Sequence, residues 1–236
     1  MSEIAVAVFN RKGGVGKTTI AVILAEIALV RGKSVLAIDL DPSRNFSTAL
    51  NFLKESSFRD SLRIKRELDD SDADAPEEWI VIDCPPALNP LAVEDPSKYY
   101  DPSVHAIDFA DITVIPVRPD YFSLTPLGLI DSLAEGKFGK SRSQLPLVKL
   151  AFDNSLISKV ANQVIAESGH SVAEDIALHK SIPYNITSGK IWSMGLAARY
   201  RLQYESLYLK IENAMNRLKN GITDIYEVWT SGGDAE

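Results

Sequence analysis

Residues 13–18, Gly-Gly-Val-Gly-Lys-Thr, have the types and order that phosphate chemistry needs. Glycines let successive backbone N–H groups face anionic oxygens, a lysine balances β and γ phosphate charge, and a Ser or Thr hydroxyl is a magnesium ligand. Lys17 and Thr18 fill the last two places. Such a loop works between a strand and a helix, because the helix adds its free N–H groups and N-terminal dipole to the anion site. The flanks comply: residues 3–9, Glu-Ile-Ala-Val-Ala-Val-Phe, read as a strand, and residues 19–30 are apolar for about three helical turns, stopping before Gly32. Two further stretches end in carboxylates, Asp39 and Asp41 after one apolar run and Asp83 after another. A strand-end aspartate can simply cap the next turn. Two such ends opposite one phosphate loop favour a site.

The elements that must carry these residues follow from the hydrophobic pattern. Near-continuous apolar runs at 34–40, 79–84, 111–117 and 146–152 suit strands of a parallel sheet covered on both faces. Helices are expected between them, one starting near Thr125 and Pro126 and another at Ser155, running to Ser168 with Gly169 behind it. The alternation predicts one α/β domain over residues 1–236, doubly wound with a mainly parallel sheet. Residues 66–78 carry seven acids and one arginine and read as a solvated surface connection. Near the C-terminus, Tyr204, Leu207, Tyr208, Ile211, Met215 and Leu218 mark the buried face of a helix. On a continuous helix Arg199, Lys210 and Arg217 would project together as a basic ridge.

The net charge of −7 over 236 residues disfavours nucleic acid and anionic lipid unless a local basic patch exists. A single cysteine, Cys84, excludes a disulfide framework, a cysteine-rich zinc site and an iron–sulfur cluster ligated within one chain, and it fits a reducing cytoplasm. It reads as a small core residue. The apolar runs fall far short of the roughly 20 residues that span a bilayer.

The general phosphate-loop pattern G-x-x-x-x-G-K-[ST] places its first glycine at position 11, where this chain has Arg11 followed by an extra lysine, Lys12. In that respect KGGVGKTT at 12–19 resembles the deviant Walker A motif of the ParA/MinD ATPases, whose additional lysine precedes the glycine pair. VLAIDLDPSRN at 35–45 is similar to that family's Walker A′ motif, and WIVIDCPPAL at 79–88 to its Walker B motif with the paired prolines that follow. TVIPVRPDYFSLTPL at 113–127 resembles the family's later strand and loop, and SIPYNITSGK at 181–190 does so more weakly. The resemblance implies a P-loop fold, ATP and Mg2+ as cofactors, and hydrolysis that is slow without a partner. It implies phosphate binding by Gly13, Gly14, Val15, Gly16, Lys17, Thr18 and Thr19, and magnesium held by Thr18 and Asp83 with Asp39 nearby. Asp41 matches the carboxylate that positions the attacking water. Lys12 matches the lysine that crosses the interface of an ATP-dependent homodimer to touch the phosphates of the other subunit. Pro119, Asp120, Asp153 and Asn154 match places where the family contacts adenine, and a plain turn role stands beside that reading for each. The interval from Asp41 to Asp83, 42 residues, is closer to compact plasmid-type relatives, and no helix-turn-helix is expected before the phosphate loop.

Family relatives turn a nucleotide cycle into position on a surface, and the surface differs among them. Residues 221–236 are acidic and lack the basic face of an interfacial helix, which disfavours a membrane. Residues 180–220 carry a local charge of +5 and residues 137–149 a further +4. Such segregation suits sequence-independent DNA binding, with Lys190, Arg199, Arg201, Lys210 and Arg217 as candidate contacts. The expected function is therefore plasmid or chromosome partition in the cytoplasm, associated with the nucleoid, with a ParB-like partner or cargo adaptor that stimulates hydrolysis. Alternatives are a positioning ATPase for a protein cargo or division site, and a metabolic P-loop ligase such as dethiobiotin synthetase.

Overall fold

In the computed structural model, which describes residues 4–56, 58–177 and 198–230, seven strands form one sheet in the order β3-β2-β4-β1-β5-β6-β7. They are β1 (Ile4–Val8), β2 (Val35–Asp39), β3 (Leu62–Lys65), β4 (Trp79–Asp83), β5 (Ile112–Val117), β6 (Leu147–Leu150) and β7 (Val172–Ile176). Every pairing is parallel. Parallel pairing requires crossovers, and their helices cover both faces of the sheet. Alternate residues of one strand therefore enter different cores. Val6 and Val8 join Val35, Val81 and the helix α1 (Lys17–Val30) on one side, whereas Ala5, Ala7, Ile80 and Ile82 face Ile107, Ile130 and Ile165 on the other.

The remaining helices are α2 (Asn45–Ser56), α3 (Pro90–Glu94), α4 (Pro102–Phe109), α5 (Tyr121–Leu124), α6 (Leu127–Ala134), α7 (Leu156–Ser168), α8 (Ala198–Lys219) and α9 (Tyr226–Thr230). Helix α7 matches its sequence expectation: Ser155 accepts from Ser158 N at its start, and Gly169 takes the left-handed conformation at its end, φ 72°. The helix expected near Thr125 and Pro126 is α6, which begins at Leu127, and the short α5 precedes it. Asp120 accepts from Ser123 N to cap α5, and Pro126 then separates α5 from α6 without side-chain capping.

Residues 66–78 are not wholly solvated. Asp69 and Asp72 form a reciprocal capping box around a 3-10 turn at Asp70–Asp74, Asp72 is 2% exposed, and Lys65 Nζ meets it at 2.6 Å. Leu68 and Ala75 reach into the core from the same stretch. On α8 the predicted apolar face is buried, with Tyr208 stacked on Trp79 at 4.5 Å between ring centroids.

The basic ridge expected on α8 does not form at Lys210. Its ammonium donates to Ala173 O at 2.7 Å and Trp229 O at 3.2 Å and lies 3.7 Å from Glu174. Both carbonyls belong to elements packed against α8, so the charge satisfies the interior and does not line a surface.

Candidate nucleotide-binding site

Strand β1 lies between β4 and β5, while the next strand in the chain, β2, lies beyond β4. The loop leaving β1 thus sits where the direction of winding reverses, the place at which open α/β sheets form a crevice. Gly14 at φ 72° and Gly16 at φ 108° turn this loop through conformations that side chains disfavour. At Gly16 space also forbids a side chain, since a Cβ would stand 2.5 Å from Leu150 Cδ1. Around Gly13 and Gly14 nothing comes within 4 Å of where a Cβ would be. That side of the loop is open to a ligand. Gly16 also begins α1 without a side-chain cap, so the first N–H groups of the helix remain available to an anion.

Lys17 is 5% exposed, and its ammonium donates to Lys12 O at 3.1 Å. Burial lowers its pKa from the ordinary lysine value, against the charge of Asp83, which raises it. Thr18 Oγ1 donates to Asp83 Oδ2 at 2.7 Å. Asp83 is fully buried, its Oδ1 has no hydrogen-bond partner among the described residues, and burial pushes its pKa up to about 7. A buried carboxylate oxygen left without a partner is costly. Together with the Thr18 hydroxyl it is a hard-oxygen donor set that fits magnesium, which takes one or two carboxylates and completes its shell with phosphate oxygens and water.

Asp39 stands beside Asp83, in register on the neighbouring strand. Both of its oxygens are committed, Oδ1 to Asp41 N at 3.2 Å and Oδ2 to Ser47 N at 2.7 Å. It thereby fixes the β2–α2 connection that carries Asp41. Asp41 is half-buried, with Oδ1 accepting from Ser43 N at 2.8 Å. Arg44 in this connection is held at φ 55°, a left-handed conformation uncommon for a residue with a side chain.

Lys12 does not face its own loop: its ammonium lies 2.6 Å from Asp120 Oδ2. Sequence reading passed over the residue that arranges this, Asn10, which is fully buried. Asn10 Nδ2 donates to Pro116 O at 2.8 Å and Ser123 O at 2.9 Å, and Oδ1 accepts from Lys12 N at 2.9 Å. A buried amide between an apolar strand and a glycine loop was the available signal. Of the other loop residues, Val15 is buried, Thr19 half-buried and Arg11 exposed.

Of the adenine candidates, Asp120 stands beside the phosphate loop through its contact with Lys12. Pro119 and Asp120 line a mainly apolar groove of about 500 Å³ with Tyr121, Leu124, Leu156 and Val160. Asp153 Oδ1 accepts from Ser155 N at 3.0 Å and Ser158 Oγ at 2.7 Å, and hydrogen bonding from the Ser155 side chain first, then from the Ser158 hydroxyl and Ser155 N, holds its carboxyl near pKa 2. Asn154 is exposed beside it.

The candidate DNA contacts are not brought together. Lys190, the segment 181–190 and the Arg199 side chain lie outside the described residues; Arg201 is half-buried, and Arg217 sits 3.6 Å from Glu227. The basic stretch 137–149 is also engaged internally. Lys137 donates to Glu94 O, Lys140 to Ile107 O and Ala110 O, and Arg142 to Ser168 O, while Lys149 pairs with Asp175 at 2.6 Å.

Comparison with known proteins agrees with this geometry. A family model described as an AAA domain matches residues 3–73, from β1 through the turn after β3. The chain is similar to the chromosome partitioning protein ParA of Caulobacter vibrioides, with 27% identity over 239 residues covering 80% of this chain and 84% of that protein. Its fold is similar to that of a plasmid partition protein from Borrelia burgdorferi solved with AMPPNP, TM-score 0.63 at 19% identity, over 88% of this chain and 97% of the other. It is equally similar to the MinD cell division protein of Aquifex aeolicus, TM-score 0.63 at 16% identity, over 89% and 97%. With Lys12 ahead of the glycine pair and carboxylates ending β2 and β4 beside the phosphate loop, the chain is similar in sequence and fold to the ParA/MinD ATPases.

Proposed function

We propose that this chain is a partition ATPase that binds Mg-ATP, dimerises on it, holds nonspecific DNA as the dimer, and releases it when a ParB-like partner or cargo adaptor stimulates hydrolysis. The observation that carries the reading is the unpartnered Oδ1 of Asp83 beside Thr18 and the buried Lys17. This arrangement is expensive without a ligand and well suited to a metal-bound triphosphate. Magnesium, held by Thr18 and Asp83, would supply a cation that neutralises charge developing on the phosphates.

The chain's own groups divide the remaining work. The N–H groups of residues 13–18 and the start of α1 cradle oxygens, Lys17 balances their charge, and Thr18 and Asp83 hold the metal. Asp41 keeps one oxygen uncommitted by the Ser43 bond with which to orient the attacking water. Asp39 holds that loop in place through Asp41 N and Ser47 N. Lys12 reaches the phosphates of the second copy.

DNA as the surface is supported by the +5 charge of residues 180–220, of which the Lys210 charge is spent on Ala173 O and Trp229 O, in a chain whose overall charge is −7. Two weak patches on one rigid dimer would bind with avidity, so dimerisation alone switches affinity. The short interval from Asp41 to Asp83 favours a plasmid system within this reading. A soluble, nucleoid-associated location in the cytoplasm follows from it.

The deciding experiment is binding to a nonspecific duplex with Mg-ATP, Mg-ADP or no nucleotide at several salt concentrations, with Lys17→Ala as control. Binding that requires ATP and weakens with salt is expected. Absence of DNA binding from a chain that does dimerise on ATP would replace the DNA surface with a membrane or protein scaffold.

A further inference from the structure

Two ammonium groups stand at the phosphate loop, and only Lys17 is aimed inward. Lys12 and Asp120, at 2.6 Å, are each about 30% exposed, so their bond forms in water's reach and can be exchanged. The backbone around it cannot move so freely. Asn10, fully buried, ties Lys12 N to Pro116 O and Ser123 O, and Ser123 N in turn donates to Asp120 Oδ1 at 3.0 Å. The result is a closed circuit in which Lys12 and Asp120 face each other across a fixed gap. The side chain of Lys12 is its one exchangeable member.

We infer that Asp120 is a positioning residue, a counter-ion within the same chain that holds the Lys12 ammonium and must release it before that group reaches a phosphate of a second copy. The second clause rests on the dimer reading given under Proposed function. Asp120 uses different oxygens for its two tasks, Oδ2 for Lys12 and Oδ1 for the α5 cap. Losing Lys12 therefore leaves α5 capped. A partly exposed ion pair of this kind restrains its partner by about fivefold at most. That is enough to set a dimerisation threshold without preventing dimerisation.

Asp120→Asn keeps an amide oxygen for the cap and removes the charge, while Asp120→Glu keeps the charge. In the nucleotide-free chain, acetylation of Lys12 by an N-hydroxysuccinimide ester, followed by peptide mass spectrometry, should be two- to fivefold faster in Asp120→Asn than in the parent. The difference should shrink at about 1 M salt, where screening is short-ranged, and Asp120→Glu should stay near the parent rate. With saturating Mg-ATP, the protein concentration at half-dimerisation in sedimentation velocity should fall about 4- to 25-fold in Asp120→Asn, the square of the acetylation effect, because each dimer releases two Lys12 ammoniums. Equal acetylation rates would overturn the assignment, and so would faster acetylation with an unchanged dimerisation midpoint. If the parent chain never dimerises on ATP, the dimer reading fails, while the acetylation rates still decide whether Asp120 holds Lys12.

Discussion

Lys17 and Lys210 are both drawn into the protein, and the difference between them separates a ligand site from a structural one. Lys17 is 5% exposed and has one hydrogen-bond partner among the described residues, the carbonyl of Lys12. Lys210 has two carbonyls and a nearby carboxylate. An ammonium has three N–H donors, so Lys210 is nearly saturated by its surroundings and Lys17 is not. The neighbouring carboxylates repeat the contrast. Asp83 keeps an unpartnered oxygen beside Lys17, whereas Asp175 and Glu227 sit against Lys149 and Arg217 at the surface. Unmet valence in a buried charged group, more than the charge itself, marks where a ligand belongs.

The largest expected effect tests that contrast at the phosphate end. Lys17→Met should reduce ATP turnover by about 100-fold or more, as loss of a transition-state charge partner does elsewhere. Its thermal midpoint should stay level or rise, because a poorly paired buried charge gives way to an apolar side chain of similar length. A folded Lys17→Met chain that still turns over at the parent rate would break the comparison. Lys210→Met should do the reverse. It leaves the Ala173 and Trp229 carbonyls without their donor, which costs about 1–3 kcal/mol in denaturant unfolding, and turnover of the folded fraction should be unchanged. Unaltered stability in that variant would mean that the carbonyls find water.

A smaller effect is expected where the engaged basic residues meet the backbone. Gly169 ends α7 at φ 72°, and a Cβ there would stand 3.3 Å from Arg142 Nη1. Arg142 also donates to Ser168 O and pairs with Asp131 and Glu135, so it has little room to yield. Gly169→Ala should cost about 1–2 kcal/mol, read as a shift of the urea midpoint at constant slope. A change well below this would show that Arg142 is looser than its surroundings imply.

The same contrast divides what the amino-acid order reveals from what only packing decides. The central strands were legible because burial on both faces makes them continuous apolar runs, and α7 because its cap and terminal glycine are adjacent to it in sequence. Lys17, Thr18 and Asp83 were legible because loop spacing and strand ends nominate them. Edge strands β3, Leu-Arg-Ile-Lys, and β7, Val-Ala-Glu-Asp-Ile, were not, since charged residues on a half-exposed strand interrupt the apolar run. Asn10 was missed because its partners lie 106 and 113 residues away. Charge counting misread residues 137–149 for a related reason: Lys137 and Lys140 find carbonyls 30 to 43 residues distant. A formal charge sum assumes that every cation faces solvent.

Arg217 provides the smallest and most discriminating prediction, since it is a basic residue on α8 whose side chain has only an exposed carboxylate as partner among the described residues. Its partner Glu227 is 86% exposed at 3.6 Å, so the pair is a surface one, and such pairs contribute roughly 0–1 kcal/mol. Arg217→Ala should therefore shift unfolding by no more than about 0.5 kcal/mol. If α8 faces DNA, each phosphate that the protein ceases to neutralise lowers the magnitude of the slope of log K against log salt by about 0.9. A dimer that uses Arg217 from both copies should then drop by about twice that. Lys210→Met, measured on folded dimer, should leave the slope unchanged because its ammonium is already bound to carbonyls. Equal slopes for Arg217→Ala and the parent would move the DNA surface off this part of α8, whereas a changed slope in Lys210→Met would mean that its internal bonds open when DNA binds.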